Sequence, residues 1–249
     1  MKIRVLGSSS GEPVPHRSAS AYLLTQNDLQ ILVDAGDGVA RQMACFGIDP
    51  RYIDAVLISH THPDHTAGLF LLIQHMFILK RSKPLNVFIP EKVLEPFKRI
   101  FPVLNIFEEM LLFPLQLKPV SRNILFEDHD LLIRAISNGH MKPYESFAEK
   151  HRIQPESYSF ILRSRNRACL YTADIDDIEP LRSEASGIDL LLSECAHVEP
   201  GDVLSFAESL YIRHVAITHI LPDREQRIQA LRSDRTRISI VHDGDTIEV

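Results

Sequence analysis

Cysteine is scarce. Cys45, Cys169 and Cys195 are spread along 249 residues with no CxxC pair. They are too few and too far apart to staple a fold or to build a structural zinc site, and they fit a reducing cytoplasm. No apolar run is long enough to span a membrane, and the start, Met1-Lys2-Ile3-Arg4-Val5-Leu6, reads as a first strand rather than a signal peptide. Nor is there an excess of positive charge. A net charge of −6 argues against broad adhesion to nucleic acid, although it leaves room for a local basic patch. Internal repeats, low-complexity tracts and obvious linkers are also missing. What is left, 45% hydrophobic and 24% charged, is the composition of an ordinary globular protein. A single domain over residues 1–249 is expected.

Histidine, by contrast, is abundant, with 12 residues. Four potential metal ligands fall within six positions in His60-Thr61-His62-Pro63-Asp64-His65, directly after the apolar run Ala55-Val56-Leu57-Ile58. That run reads as a buried strand, which puts the ligands on the turn beyond its carboxyl end. A turn can aim closely spaced imidazoles and a carboxylate at one point, which the alternation of a strand would forbid. His60 and His62 suit one ion, and Asp64 and His65 a second. Three more candidates end apolar runs in the same way: His140 after Leu131 to Ile136, Asp174 after Cys169 to Ala173, and His219 after Val215 to Thr218. The set becomes His60, His62 and His140 on one ion, Asp64, His65 and His219 on the other, with Asp174 bridging. A dication pair with this ligand set would draw the pKa of a bridging water from ~15.7 towards ~7 and yield a hydroxide nucleophile. Imidazole-rich sites suit Zn2+ first, with Mn2+, Fe2+ or Ni2+ as alternatives.

Other short apolar strands are expected at Ile3 to Leu6, Ser20 to Leu24, Ile31 to Asp34, Asn86 to Ile89, Ser159 to Arg163, Leu190 to Ser193 and Ile238 to Val241. Helices are expected near Gly38 to Phe46, Ala67 to Lys80, Glu91 to Phe101, Ile178 to Ser186, Val203 to Tyr211 and Arg224 to Leu231. Many strands without strict alternation with helices suggest an α/β sandwich of two sheets with outer helices. Phe101 to Val120 suits a core helix, a dimer face or a lid over the site.

The ligand pattern resembles that of the metallo-β-lactamase superfamily, whose motif is H-x-H-x-D-H followed by isolated His, Asp and His ligands. That resemblance implies an αββα sandwich of two mixed β-sheets flanked by helices, with a two-metal site at one edge. Within the superfamily the chain is most similar to the ribonuclease Z and phosphodiesterase branch. Leu6-Gly7-Ser8-Ser9-Ser10-Gly11-Glu12-Pro13 with Arg17 resembles the first glycine-rich loop of that branch. Ile31-Leu32-Val33-Asp34-Ala35-Gly36-Asp37-Gly38 followed by Gln42 resembles its second strand and D-x-G-x-G turn. Ser193-Glu194-Cys195-Ala196 resembles its His-Glu-Ala-Thr motif without the His, and His197 stands 22 residues before His219, as the branch's additional histidine does. The resemblance implies that Glu194 orients His197 as general acid. The loop between them is much shortened, and an ordinary loop histidine is the alternative.

Only 33 residues separate His140 from Asp174, too few for the glycine- and proline-rich arm that grips tRNA in ribonuclease Z. Hydrolysis of a phosphodiester is therefore expected on a small or cyclic compound or a short oligonucleotide, not on folded tRNA. Asp64 would be both ligand and proton acceptor, and His197 would protonate the departing oxygen. A thioester, ester or lactone hydrolase on the same metals is the alternative. An oxygen-reducing di-iron enzyme fits less well, because such members replace the second histidine of the motif with Glu and His62 is present. Branch members are often homodimers, and the apolar residues between Phe101 and Leu117 are compatible with a homodimer. Arg163, Arg165 and Arg167 are read as a solvated hairpin tip, with phosphate contact as the alternative. His75 is expected to face the core or an interface, and His16, His129, His151 and His214 to lie on the surface. Asp34 or His242 would support a metal ligand from behind.

Overall fold

The computed structural model describes residues 1–120, 124–128 and 130–249, so His129 lies outside the described residues. Among the described residues, fourteen strands form two sheets of seven. The first holds β1 (Lys2–Gly7), β2 (Ala21–Gln26), β3 (Leu29–Val33), β4 (Ala55–Leu57), β5 (Leu85–Pro90), β6 (Leu115–Val120) and the last strand, β14 (Thr246–Glu248), in the order β14-β1-β2-β3-β4-β5-β6. The second runs from β7 (Ile124–Asp128) through β8 (Leu131–Ser137), β9 (Tyr158–Ser164), β10 (Ala168–Tyr171), β11 (Leu190–Glu194) and β12 (His214–Thr218) to β13 (Arg237–Ile240). Both are mixed: β3 to β6 and β10 to β13 pair in parallel, and the other pairs are antiparallel.

Strand alternation divides each run between two cores. Ile31 and Val33 point inward to meet Tyr158, Phe160 and Tyr171 of the facing sheet, whereas Leu32 points outward. The outer face of the first sheet is covered by α1 (Val39–Cys45), α2 (Pro63–Ile78), α3 (Leu94–Lys98) and α4 (Ile100–Val103). After the short α5 (Glu145–Ala148), α6 (Pro200–Ser209) and α7 (Glu225–Gln229) pack on the second sheet. With both faces covered, the central parallel strands β4, β10 and β11 are largely apolar, which is why they read as continuous runs. This is the expected αββα sandwich.

Several expectations are corrected. Helix α2 begins at Pro63, not Ala67, so Asp64 and His65 stand in its first turn rather than on a preceding loop. Proline with its fixed φ and no N–H is suited to a first helical position, and Asp64 complements the positive end of the helix dipole. Ile178 to Ser186 contains only a 3-10 turn, Glu179–Leu181. Glu91 to Phe101 breaks into a 3-10 turn, α3 and the start of α4. Phe101 to Val120 is no core helix: it carries the end of α4, a 3-10 turn at Glu108–Met110 and strand β6. Its Val103, Leu104, Phe107, Met110 and Leu112 are exposed.

Arg163, Arg165 and Arg167 lie at the end of β9 and the following hairpin, where Arg165 pairs with Asp130 and Arg167 with Asp189 at 2.9 Å. That is the edge of the sheet opposite the one where β10 leads to Asp174. No helix of the described residues is long and apolar enough to cross a membrane.

Candidate metal centre and active site

Strands β3, β4, β8, β10, β11 and β12 all point their carboxyl ends to one edge of the sandwich. The chain leaves three of them abruptly. Asp34, Ala173 and His219 adopt φ of 57°, 50° and 48°, a left-handed conformation that non-glycine residues avoid. The sharp exits turn Asp34, Asp174 and His219 inward, all buried. Close contact also sets the start of α2: a Cβ on Gly68 would lie 2.1 Å from the Gly36 carbonyl, and one on Gly36 2.1 Å from the Asp64 carbonyl. Only glycine at both positions lets α2 come near enough to set His65 over Asp34.

The seven sequence candidates form two groups sharing one carboxylate: His60, His62, His140 and Asp174, and Asp64, His65, His219 and Asp174, with the donor atoms of each within 4.8 Å of one another. In the first, His60 Nε2 and His62 Nδ1 are 3.0 Å apart, and His60 Nε2 and His140 Nε2 each lie 3.8 Å from Asp174 Oδ2. In the second, His65 Nε2 and His219 Nε2 lie 3.2 and 3.3 Å from Asp174 Oδ1, and 3.5 and 3.9 Å from Asp64 Oδ2. A tetrahedral zinc ion with ordinary bond lengths separates its ligand atoms by about 3.4 Å. Asp174 thus offers one oxygen to each group.

The other ring nitrogen of four histidines is held from behind, which fixes the direction of the inward one. Ser59 Oγ meets His60 Nδ1 at 3.0 Å, Asp34 Oδ2 meets His65 Nδ1 at 2.9 Å, Asp176 Oδ1 meets His140 Nδ1 at 3.0 Å and Ser20 Oγ meets His219 Nδ1 at 2.9 Å. Asp34 therefore has the supporting place anticipated for it, also accepting from the Ser59 amide, Ser59 Oγ and the Tyr171 hydroxyl. The His242 ring has no such bond among the described residues and is exposed. Ser20, Ser59 and Asp176 escaped the sequence reading, since lone serines and an Asp in Asp174-Ile175-Asp176-Asp177 carry no distinctive pattern.

Electrostatics favour a cation in this space. Burial, then the charge of His65, hold His60 well below the usual imidazole range. Burial and His140 lower His62. Burial raises the Asp174 carboxyl, but His219 and His65 outweigh it and hold it well below the usual carboxylate range. Burial likewise lowers His65, yet Asp174 and Asp34 prevail and keep it well above its usual value. A proton on His65 thus supplies positive charge that an arriving ion would displace. His140 Nε2 is buried without a hydrogen-bond partner among the described residues, an arrangement costly for a closed core and suited to coordination. The donor set fits divalent ions.

Glu194, buried at the end of β11, accepts from the amides of Ala196 at 2.5 Å and His197 at 2.9 Å. Its Oε1 lies 3.4 Å from His197 Nδ1 and raises that imidazole above its usual value. The His197 ring is 39% exposed, 4.8 Å from the ring of His140 and 6.0 Å from that of His219. It stands at the rim of the cluster.

Beside Asp64 opens a cavity of about 650 Å³ walled by the loop from Ser9 to Ala19, with Arg41, Gln42 and Leu71. Asp243 anchors this loop: its carboxylate accepts from the Ser8 amide (3.0 Å) and hydroxyl (2.8 Å), the Ser18 amide (2.6 Å) and Gln42 Nε2 (2.9 Å). Asp243→Ala is expected to cost about 2–4 kcal/mol, lowering Tm by about 5–10 °C. A melting curve unchanged within about 2 °C would show the loop to be held by other contacts.

A family model described as a beta-lactamase superfamily domain matches residues 30–241. The chain belongs to the beta-lactamase superfamily. Among curated relatives, ribonuclease Z of Methanothermobacter thermautotrophicus is 25% identical over 300 aligned positions covering 100% of this chain and 97% of that protein. Ribonuclease Z of Pyrococcus abyssi is 35% identical over 100 residues, 40% of this chain and only 33% of the relative's length. Among solved structures, human tRNase Z, short form, superposes with a TM-score of 0.78 at 19% identity, covering 100% of this chain and 99% of that one. At that identity the likeness concerns the fold.

Proposed function

We propose that this superfamily member is a metal-dependent phosphodiesterase acting on a small or cyclic phosphodiester or a short oligonucleotide, with two divalent ions, Zn2+ first among them. The observation that carries this reading is the pair of ligand groups sharing Asp174, with Glu194 and His197 at their rim. His60, His62 and His140 would hold one ion and Asp64, His65 and His219 the other, with one Asp174 oxygen for each. Bound ions there supply Lewis acidity toward the phosphoryl oxygens and lower the pKa of water for attack. Asp64, partly exposed on the cavity side, is placed to accept the proton of the attacking water. The new P–O bond forms as the opposite P–O bond breaks, and His197, held through Nδ1 by Glu194, gives its proton to the departing oxygen. Glu194 is pinned by backbone amides and so keeps His197 from swinging away. The 33-residue interval between His140 and Asp174 leaves no room for a long tRNA-gripping arm. The cell interior and a homodimer belong to the same reading.

The test is hydrolysis of bis-p-nitrophenyl phosphate, beside a thioester and a lactone, by protein whose metal is counted by mass spectrometry. Phosphodiester cleavage with two metals per chain supports the reading; cleavage of the carboxyl compounds alone replaces it with a carboxyl-ester hydrolase. His197→Ala is expected to retain its metal and to lose about 10²–10⁴-fold in kcat, most for poor leaving groups. Loss of metal in that variant would remove its role as a separate acid.

A further inference from the structure

The segment that follows His140 has a chemistry the proposed mechanism does not use. A 3-10 turn at Lys142–Tyr144, α5 and a second 3-10 turn at Glu149–His151 follow His140 in succession. Tyr144 is 45% exposed, and its ring meets that of His62 at 5.0 Å, nearly edge-on at 73°. Among the described residues it is the exposed aromatic in ring contact with the ligand cluster. Phe147, one turn on, is 66% exposed. Lys142 folds over Gly139, next to His140, with its ammonium 3.4 Å from where a Cβ would sit and no ion-pair partner among the described residues. The segment's carboxylates lie elsewhere: Glu145 and Glu149 line a separate cavity of about 780 Å³ with Lys92 and Arg152. One exposed aromatic ring and a cation stand beside the cluster, and the segment's own carboxylates Glu145 and Glu149 turn to the separate cavity.

We propose that this segment is a stacking platform for a nucleobase, with Tyr144 receiving the base of the nucleotide whose phosphate reacts and Lys142 facing the neighbouring phosphate. Every nucleobase has a π-face, so a single aromatic ring binds bases with little sequence preference, and a cation beside it follows the backbone. The substrate class is then a nucleotide ester or short single strand, not a cyclic or simple phosphodiester lacking a base. This inference rests on the phosphodiesterase reading.

The test compares thymidine 5′-p-nitrophenyl phosphate with methyl p-nitrophenyl phosphate, which share a leaving group and differ by the nucleoside, and the Tyr144 variants isolate the part of any preference that the base supplies. With metal-loaded protein, kcat/KM is expected to favour the thymidine ester by at least about 10-fold, through KM, within the roughly 5–150-fold that one stacked base supplies. Tyr144→Phe is expected to keep that preference, and Tyr144→Ala to lose it. Tyr144→Leu covers His62 without offering an aromatic face, so it should also lose the preference while retaining metal. Equal kcat/KM for the two esters in the parent protein, or a preference that survives in Tyr144→Leu, overturns the platform while methyl ester cleavage still upholds the phosphodiesterase. Failure to cleave either ester overturns both.

Discussion

Asp174→Ala is expected to release both metals and to slow turnover by at least about 10³-fold. Asp174 is the one side chain common to both ligand groups, with Oδ2 turned to His60 and His140 and Oδ1 to His65 and His219. Its removal leaves Asp64 as the remaining carboxylate among the ligands, so two dications would face one another across imidazoles with little negative charge between them. It also removes the main attraction sustaining charge on His65. Mass spectrometry of the dialysed variant should find less than one metal per chain, while circular dichroism stays that of the parent. His62→Ala should lose metal and activity together as well, but it touches one group directly and should be the milder of the two. Two retained metals in Asp174→Ala with rapid hydrolysis would show that the carboxylate does not bridge.

A second large effect is expected far from this edge. Arg81 is 1% exposed and donates five hydrogen bonds to main-chain carbonyls: Nε to Lys83 at 2.7 Å, Nη1 to Pro50 at 3.1 Å and Arg51 at 2.7 Å, and Nη2 to Ile53 and Pro84 at 2.7 Å each. One planar fork thereby ties the segment entering β4 to the segment entering β5, at the amino ends of those strands. Arg81→Met keeps much of the packing volume but abandons five carbonyls, several of them buried. The expected cost is about 4–6 kcal/mol, or a fall in Tm of roughly 10–20 °C for a chain of this size. Arg81→Lys can restore at most three bonds and should fall between. Because this clamp lies at the opposite end of the strands from the ligands, metal content and kcat of the folded variant should match the parent. A Tm loss below about 4 °C would mean that water replaces the guanidinium.

These two residues differ in how readable they were. Asp174 ends an apolar run, as His140 and His219 do, and strand ends facing one edge are where parallel strands deliver side chains. Arg81 stands in Leu79-Lys80-Arg81-Ser82-Lys83, which reads as a solvated stretch after a helix. Only the return of the chain from Pro50 to Ile53 beneath it makes it a clamp. Tyr144 is a similar case: its significance comes from the placement of His62, 82 positions earlier, in ring contact with it.

The amino-acid sequence by itself determined the ligand types, their spacing and the continuous apolar strands that set them at chain exits, because burial on both faces and donor chemistry are written into residue identity. The tertiary structure decided which nitrogen of each histidine turns inward, that α2 starts at Pro63, and that Asp34, Ser20, Ser59 and Asp176 stand behind the ligands. It also showed Asp243 anchoring the cavity loop. Such contacts join residues up to 235 positions apart, as Ser8 and Asp243 do. Their direction depends on backbone turns at Asp34, Ala173 and His219 that no local propensity favours and that the packing of two sheets imposes.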